Sequence, residues 1–399
     1  MKSRKILAIF LAAILVMMLL PTLAVGAADY NVTDETEFDS ALAAVDNGDT
    51  IILDNSFAYT SYLEINNGKE FTIDLNGFTL TFEDELDITT GSDVTIIGNL
   101  TLTGSVGVYV DGASLTVTGN VTASGLDPEE GWNRAIYCYE GSVTVGGSVT
   151  SSGNGVVTDD GTIKITGGVT AGGGGANATN DASITIGGNV SAGGNGIAAS
   201  WGGTVTVTGN VTGCLMVSGW GLAGVLVNGG TAIVQGSVIG GDNGVYVVSG
   251  GSATITGNVT ANPPNDDCAA VVCDEWNSGE ATEVIVKGNI NAGGGKSIIV
   301  NGDFARVIVN GTLAMNFEIN GLIYPDEDID EAQDTYDSAK YTVYSFEGGE
   351  VWVRITTSTP QTGDSGIILI WIALLLSLMA ISGALTWRKR VGRRHISNF

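Results

Sequence analysis

Gly107–Thr122 reads GVYVDGASLTVTGNVT and Ala135–Thr150 reads AIYCYEGSVTVGGSVT; set one above the other, their apolar residues fall in the same columns. The pattern returns at Gly155 (GVVTDDGTIKITGGVT), Ala176 (ANATNDASITIGGNVS), Gly196, Gly224, Gly244, Ala270 and Ser297, with starts 20 to 28 residues apart. Each copy holds three short runs of Val, Ile and Thr divided by Gly-rich turns. No such run can bury a face alone, so the copies must stack, which predicts an all-β parallel solenoid of rungs about 20 residues long. In the first run Val108, Ile136, Val156, Val225 and Val245 are expected to point inward. The next column, Tyr109, Tyr137, Val157, Ala178, Ala198, Leu226 and Tyr246, then points outward. A Gly-Asn or Gly-Gly pair follows the second run and suits a sharp turn. Asn120, Asn189, Asn210, Asn258 and Asn289 recur there and predict a polar ladder from rung to rung. An Ig-like sandwich, the competing fold, would not keep one register through so many units.

Outward from the repeats of 107–316, residues 29–106 read as an N-terminal cap with the first rungs. Thr33-Asp34-Glu35-Thr36-Glu37 opens a short helix, capped by Thr33 or Asp34, with Phe38, Leu42 and Val45 on one face. Ile51–Leu53 and Phe71–Gly77 follow as strand segments. This opening resembles the start of pectate-lyase-like right-handed parallel β-helices, in which a helix covers the open end of the coil; right-handedness is what that resemblance implies. Covering is needed because a terminal rung exposes apolar core and unpaired edge groups. Residues 317–357 break the period, are acidic and aromatic, and read as a C-terminal cap.

The two ends read as addresses. In residues 1–28, Lys2, Arg4 and Lys5 precede the apolar run Ile6–Leu20, and small residues ending at Ala27-Ala28 suit cleavage, the pattern of a secretory signal. A first transmembrane helix is the alternative, for which the run is short. At the other end, Ile367–Trp387 is uncharged and about the ~20 residues a bilayer requires, so it reads as a transmembrane helix. The basic tail of 388–399 follows and is placed inside by the positive-inside rule. The linker of 358–366 contains Thr359-Pro360-Gln361-Thr362-Gly363. Motif, span and basic tail in this order resemble the cell-wall sorting signal of Gram-positive surface proteins. The resemblance implies that a sortase cuts between Thr362 and Gly363 and joins Thr362 to peptidoglycan, with Pro360 part of the recognised motif. Thr359 stands where the family has Leu, which leaves open the sortase class and a plain membrane anchor. The expected location is the outer surface and wall of a Gram-positive cell.

Composition then narrows the function. The chain has 43 Asp+Glu, 16 Lys+Arg and one His; half of the basic residues lie in the terminal segments. The remaining eight face all 43 acids, a surplus of 35 negative charges that excludes nucleic acid as a partner. His395 lies in the basic tail, so the body offers no imidazole, which excludes Ser-His-Asp, Cys-His and His-zinc chemistry there. Polygalacturonase-like β-helices use an Asp trio with Gly-His-Gly and Arg-x-Lys segments; only Asp159-Asp160 stands here, without the rest. Lys164 and Lys287, both read on second strands, lie five rungs apart, ~24 Å at the strand spacing, too far to serve one sugar of a lyase substrate. The expectation is therefore a non-catalytic adhesin or carbohydrate-binding protein. A β-helix polysaccharide lyase or glycoside hydrolase is the rival, and a structural stalk or coat the third reading.

The binding candidates are aromatic. Insertions lengthen the turns at Leu126–Arg134, Cys214–Ala223, Asn262–Cys268 and Asp274–Glu283, and they bring Trp132, Trp220 and Trp276; Trp201 sits in the corresponding first-strand turn. These turns flank the first strand, so with Tyr109, Tyr137 and Tyr246 they would line one face suited to stacking a neutral glycan or meeting another surface protein. Packing of these rings beneath the loops is the plainer alternative. No cofactor is expected. Asp326, Asp328 and Asp330 have the alternate spacing of a calcium loop, but Glu331 replaces its Gly, and a solvated acidic turn reads equally well. Cys138 and Cys273 share a repeat column six rungs apart, ~29 Å at the strand spacing, and cannot bridge.

Overall fold

A computed structural model describes residues 27–354 apart from 67, 129–132, 214–222, 262–267, 277–278, 294, 314–315, 325–332 and 335–340. The chain coils into a parallel β-solenoid of about 12 turns. Among the described residues the first strands of the rungs form a 13-stranded sheet, the second strands a 16-stranded sheet and the third strands an 11-stranded sheet. Within one rung Val108–Asp111, Ser114–Val117 and Val121–Ala123 belong to the three sheets in turn, and each pairs in parallel with its counterpart in the next rung. Alternation does the sorting. Val108, Val110, Leu115, Val117, Val121 and Ala123 are all buried, while Tyr109, Thr116 and Thr122 between them face out. The same six positions repeat along the coil and make one continuous core. Each fully buried Val or Ile contributes about 1.5–3 kcal/mol.

The open N-terminal end is covered as the sequence implied. Helix α1 (Glu35–Ala44) is capped by Asp34, whose carboxylate accepts from the Glu37 N–H at 2.9 Å. Phe38 is fully buried and meets Phe57 and Tyr59 edge-on at 5.9 and 5.8 Å. Behind the helix the buried Asp49 accepts from Ala28 N at 2.7 Å and Asp46 N at 2.8 Å, and these donors hold its carboxyl below the usual range. At the other end Phe317–Ile319 still pairs in parallel with Ile298–Val300. Gly349–Arg354 pairs in parallel with Ala305–Val309 and antiparallel with Tyr341–Phe346. Parallel stacking thus runs past residue 316, and the aromatic segment closes the coil by joining its second sheet.

The asparagine ladder is present at the second turn. Asn99 Oδ1 accepts from Asn120 N, Asn120 from Ser148 N, Asn189 from Asn210 N, Asn210 from Ser237 N, Asn258 from Asn289 N and Asn289 from Thr312 N, each at 2.8 Å. The glycine before each Asn is needed for closeness. A Cβ on Gly209 would lie 2.4 Å from Asn189 Oδ1 and 2.5 Å from the Gly188 carbonyl.

One column is corrected. Val157 pairs with Asn177 and Asn177 with Ala198, so Asn177 stands in the outward column and Ala178 is fully buried. A one-residue slip exchanges faces, and this rung begins at Gly175, not Ala176. Lys164 lies within the second strand Thr162–Ile165, whereas Lys287 follows Thr282–Val286 by one residue. Cys138 and Cys273 are buried in one interior column, and burial pushes the Cys273 thiol up to about 12.

Candidate functional site

The turn after the first strand carries residues of unlike type in one backbone conformation. Gly112, Glu140, Asp160, Asn180, Trp201, Gly229 and Ser249 all have φ between 46° and 67°. Glycine enters that region freely, and Asn or Asp at little expense, but a bulky side chain there is strained. Trp201 nonetheless occupies it at φ 48° and is 65% exposed. In the lengthened turn of a later rung Trp276 stands at φ 41° and is 66% exposed. Neither indole is packed beneath a loop, so neither strain is repaid by burial.

Register brings these two together. The strand before Trp201 (Ile197–Ser200) stacks on Ala223–Asn228, then on Asn243–Val248, then on Ala269–Asp274, which leads into Trp276. The two tryptophans therefore follow the first strand on one corner, their backbones three rungs and ~14 Å apart along the coil, with Trp276 one residue beyond the position in register with Trp201. Between them the corner runs over Gly229 and Ser249-Gly250-Gly251, with the Glu280 side chain lying against Gly250. At the Trp276 end the Asp274 carboxylate accepts from Trp276 N at 2.8 Å and from Asn301 Nδ2 at 3.3 Å. Glu275, only 9% exposed, accepts from Gly279 N at 3.0 Å and Phe304 N at 3.2 Å. These bonds hold an open cleft of about 460 Å³ lined by Trp276, Asp274, Glu275, Asn301 and Asp303.

Other candidates lie apart. Tyr109 and Tyr137 neighbour each other on the outer face of the first sheet, ring centres 5.4 Å apart, with the Arg134 guanidinium 4.2 Å over the Tyr137 ring. Tyr246 is in the same outward column five rungs beyond Tyr137, ~24 Å along the coil. It packs against Ala269, Val272 and Ile299. Trp132, Trp220, the Asp326, Asp328, Asp330 segment and the sorting residues Pro360, Thr362 and Gly363 lie outside the described residues, as do residues 1–26 and the span 367–387. Among the described residues no helix is long and apolar enough to cross a membrane, and no group of three or more His, Cys, Asp or Glu side chains is placed to hold a metal ion.

One cluster escaped the sequence reading. On the outer face beside Tyr109, Tyr62 Oη donates to Asp87 Oδ2 at 2.7 Å, while Asp87 Oδ1 is buried without a hydrogen-bond partner. Burial raises the Glu85 carboxyl, and the charges of Asp87 and Asp84 raise it further. Burial also raises Asp87, reinforced by Glu64 and opposed by the Tyr62 bond. Both carboxyls are thus shifted toward the protonated form, burial being the first cause for each. Burial, then the Asp111 charge, push the Tyr109 hydroxyl up to about 12. These rungs precede the regular period, and Glu85-Leu86-Asp87 carries no motif that marks it.

No family model, no curated protein and no solved structure matches this chain.

Proposed function

We propose that this protein is an exported, C-terminally anchored surface adhesin whose β-solenoid binds carbohydrate at the Trp201–Trp276 corner without cleaving it. One observation carries the reading: two indoles, each two-thirds exposed, are held at strained positive φ on the same corner of a rigid coil. Strain that the fold does not need is retained where a site needs the side chain, and an exposed indole face stacks on the weakly polar C–H face of a sugar ring. The sorting motif Pro360-x-Thr362-Gly363, its apolar span and its basic tail support delivery to a Gram-positive wall by sortase. A glycan array probed with the full-length chain, with and without Ca²⁺, tests the binding. Selective retention that Trp201→Ala and Trp276→Ala both abolish is expected; retention indifferent to both substitutions would remove the site.

Glycan cleavage is the second reading, favoured by the Glu85–Asp87 carboxyl pair, since a carboxyl whose titration is raised is shifted in the direction a general acid requires. Shortened products from retained glycans, lost in Glu85→Gln, would establish it in place of simple binding.

A further inference from the structure

We propose that the outer face of the second sheet binds ice, an activity separate from the glycan corner. Seven consecutive rungs each present two outward residues there, from Ser114 and Thr116 to Ser252 and Thr254, stacked in register. Twelve of these fourteen residues are Ser or Thr, the exceptions being Lys164 and Ile233. All twelve are at least partly exposed. Among the described residues their hydroxyls make one hydrogen bond, between Ser114 Oγ and Ser142 Oγ at 3.0 Å. Strand propensity favours Thr but does not account for this concentration. The first sheet of the same rungs has the same need for strand formers, yet its corresponding fourteen positions hold only Thr179 and Ser200. Charge is missing as well. A soluble surface gives about a quarter or more of its positions to charged side chains. This chain carries 43 Asp+Glu, yet Lys164 is the one charge among the fourteen.

The geometry is a lattice. Neighbours in one column are ~4.8 Å apart by the strand spacing, and the two columns are ~6.6 Å apart by two residue rises, for ~29 Å along the coil. Thr is stiff at χ1, so its hydroxyl and methyl repeat at these distances. A matching ligand must itself repeat in two directions. A mineral calls for carboxylates, a sugar for aromatic rings and a polyelectrolyte for opposite charge, and the fourteen positions supply none of these in array. Hexagonal ice presents on its prism face rows of oxygens whose two repeats approach those of the columns, and a hydroxyl both donates and accepts toward them. Water already fixed in a lattice brings no ordering penalty of its own, and the methyl groups gain by shedding their hydration. The third sheet carries a single hydroxyl column through Thr122, Thr150 and Thr170, which repeats in one direction only.

The test follows a single ice crystal in buffer with the full-length chain and in the same buffer alone, reading the gap between melting and growth temperatures and the crystal's shape. The chain is expected to open a gap and to facet the crystal. Thr206→Lys and Thr116→Lys, outward changes on separate rungs, should each close the gap while β-sheet circular dichroism and melting temperature stay unchanged. Thr170→Lys on the third sheet should leave it open. Ice growth indifferent to the chain would overturn the proposal, as would a gap that survives both second-sheet variants. A gap lost equally in Thr170→Lys would overturn it too, because the second sheet would then hold no privileged face. Glycan retention at the Trp201–Trp276 corner is read separately and stands or falls by itself.

Discussion

The turn after the second strand and the turn after the first strand carry the chain round the same coil, yet they use sequence differently. At the second turn each rung needs a close approach and a donor for its neighbour, so Gly-Asn recurs and each Asn carboxamide accepts from the next rung. At the first turn seven rungs share one left-handed residue, and it is as different as Gly229, Asp160 and Trp201, the last two with exposed side chains. Uniformity in a solenoid marks what neighbouring rungs demand of each other, and a costly departure on a permissive corner marks what something outside the coil demands.

The largest break is expected at the uniform turn. Gly209→Val places carbon against the Gly188 carbonyl and Asn189 Oδ1, and should lower stability by about 3 kcal/mol or more in urea denaturation. Asn210→Ala removes only the bond to Ser237 N, at an expected loss of about 1 kcal/mol. The opposite sign is expected at the permissive turn. Trp201→Gly relieves the positive-φ strain and should raise stability by about 1 kcal/mol while abolishing glycan retention. A loss of stability there would show that the indole serves the fold.

The smallest effects come from titration. Glu85 and Asp87 are raised in the folded state, so that state binds more protons than the unfolded chain. Their contribution is therefore most favourable below the ordinary carboxyl range near about 4 and fades as pH rises through the raised values. Glu85→Gln should flatten this trend, with melting temperature gaining most at neutral pH. Asp49 acts in the other sense: its lowered value contributes stability above the ordinary range that is lost as pH falls through it. Asp49→Asn should narrow the acid-side loss in the same melting series.

Much of this was legible in the residues. The interior columns, the capping role of Phe38 and the ladder all follow from alternation, period and turn chemistry. Ala178 was misassigned because the run Gly172–Gly175 contains no side chain to mark where its strand begins. The Glu85–Asp87 pair was missed because neighbouring carboxyls on one strand look like any solvated acidic stretch until their burial is known. Tyr246 was read with Tyr109 and Tyr137 as one face, and it is in their column, but five rungs separate it from their contact.

By itself the sequence determined the coil, since each rung touches only its neighbours and every stabilising contact recurs within roughly one period. It also determined which residues of most strands face inward, because the pleat alternates regardless of what surrounds it. The tertiary structure alone decided which distant residues meet. Trp201 and Trp276 are separated by insertions of unequal length, and insertions change distance along the chain without changing the spacing between rungs. Only the register of the strands beneath them places both indoles on one acidic corner.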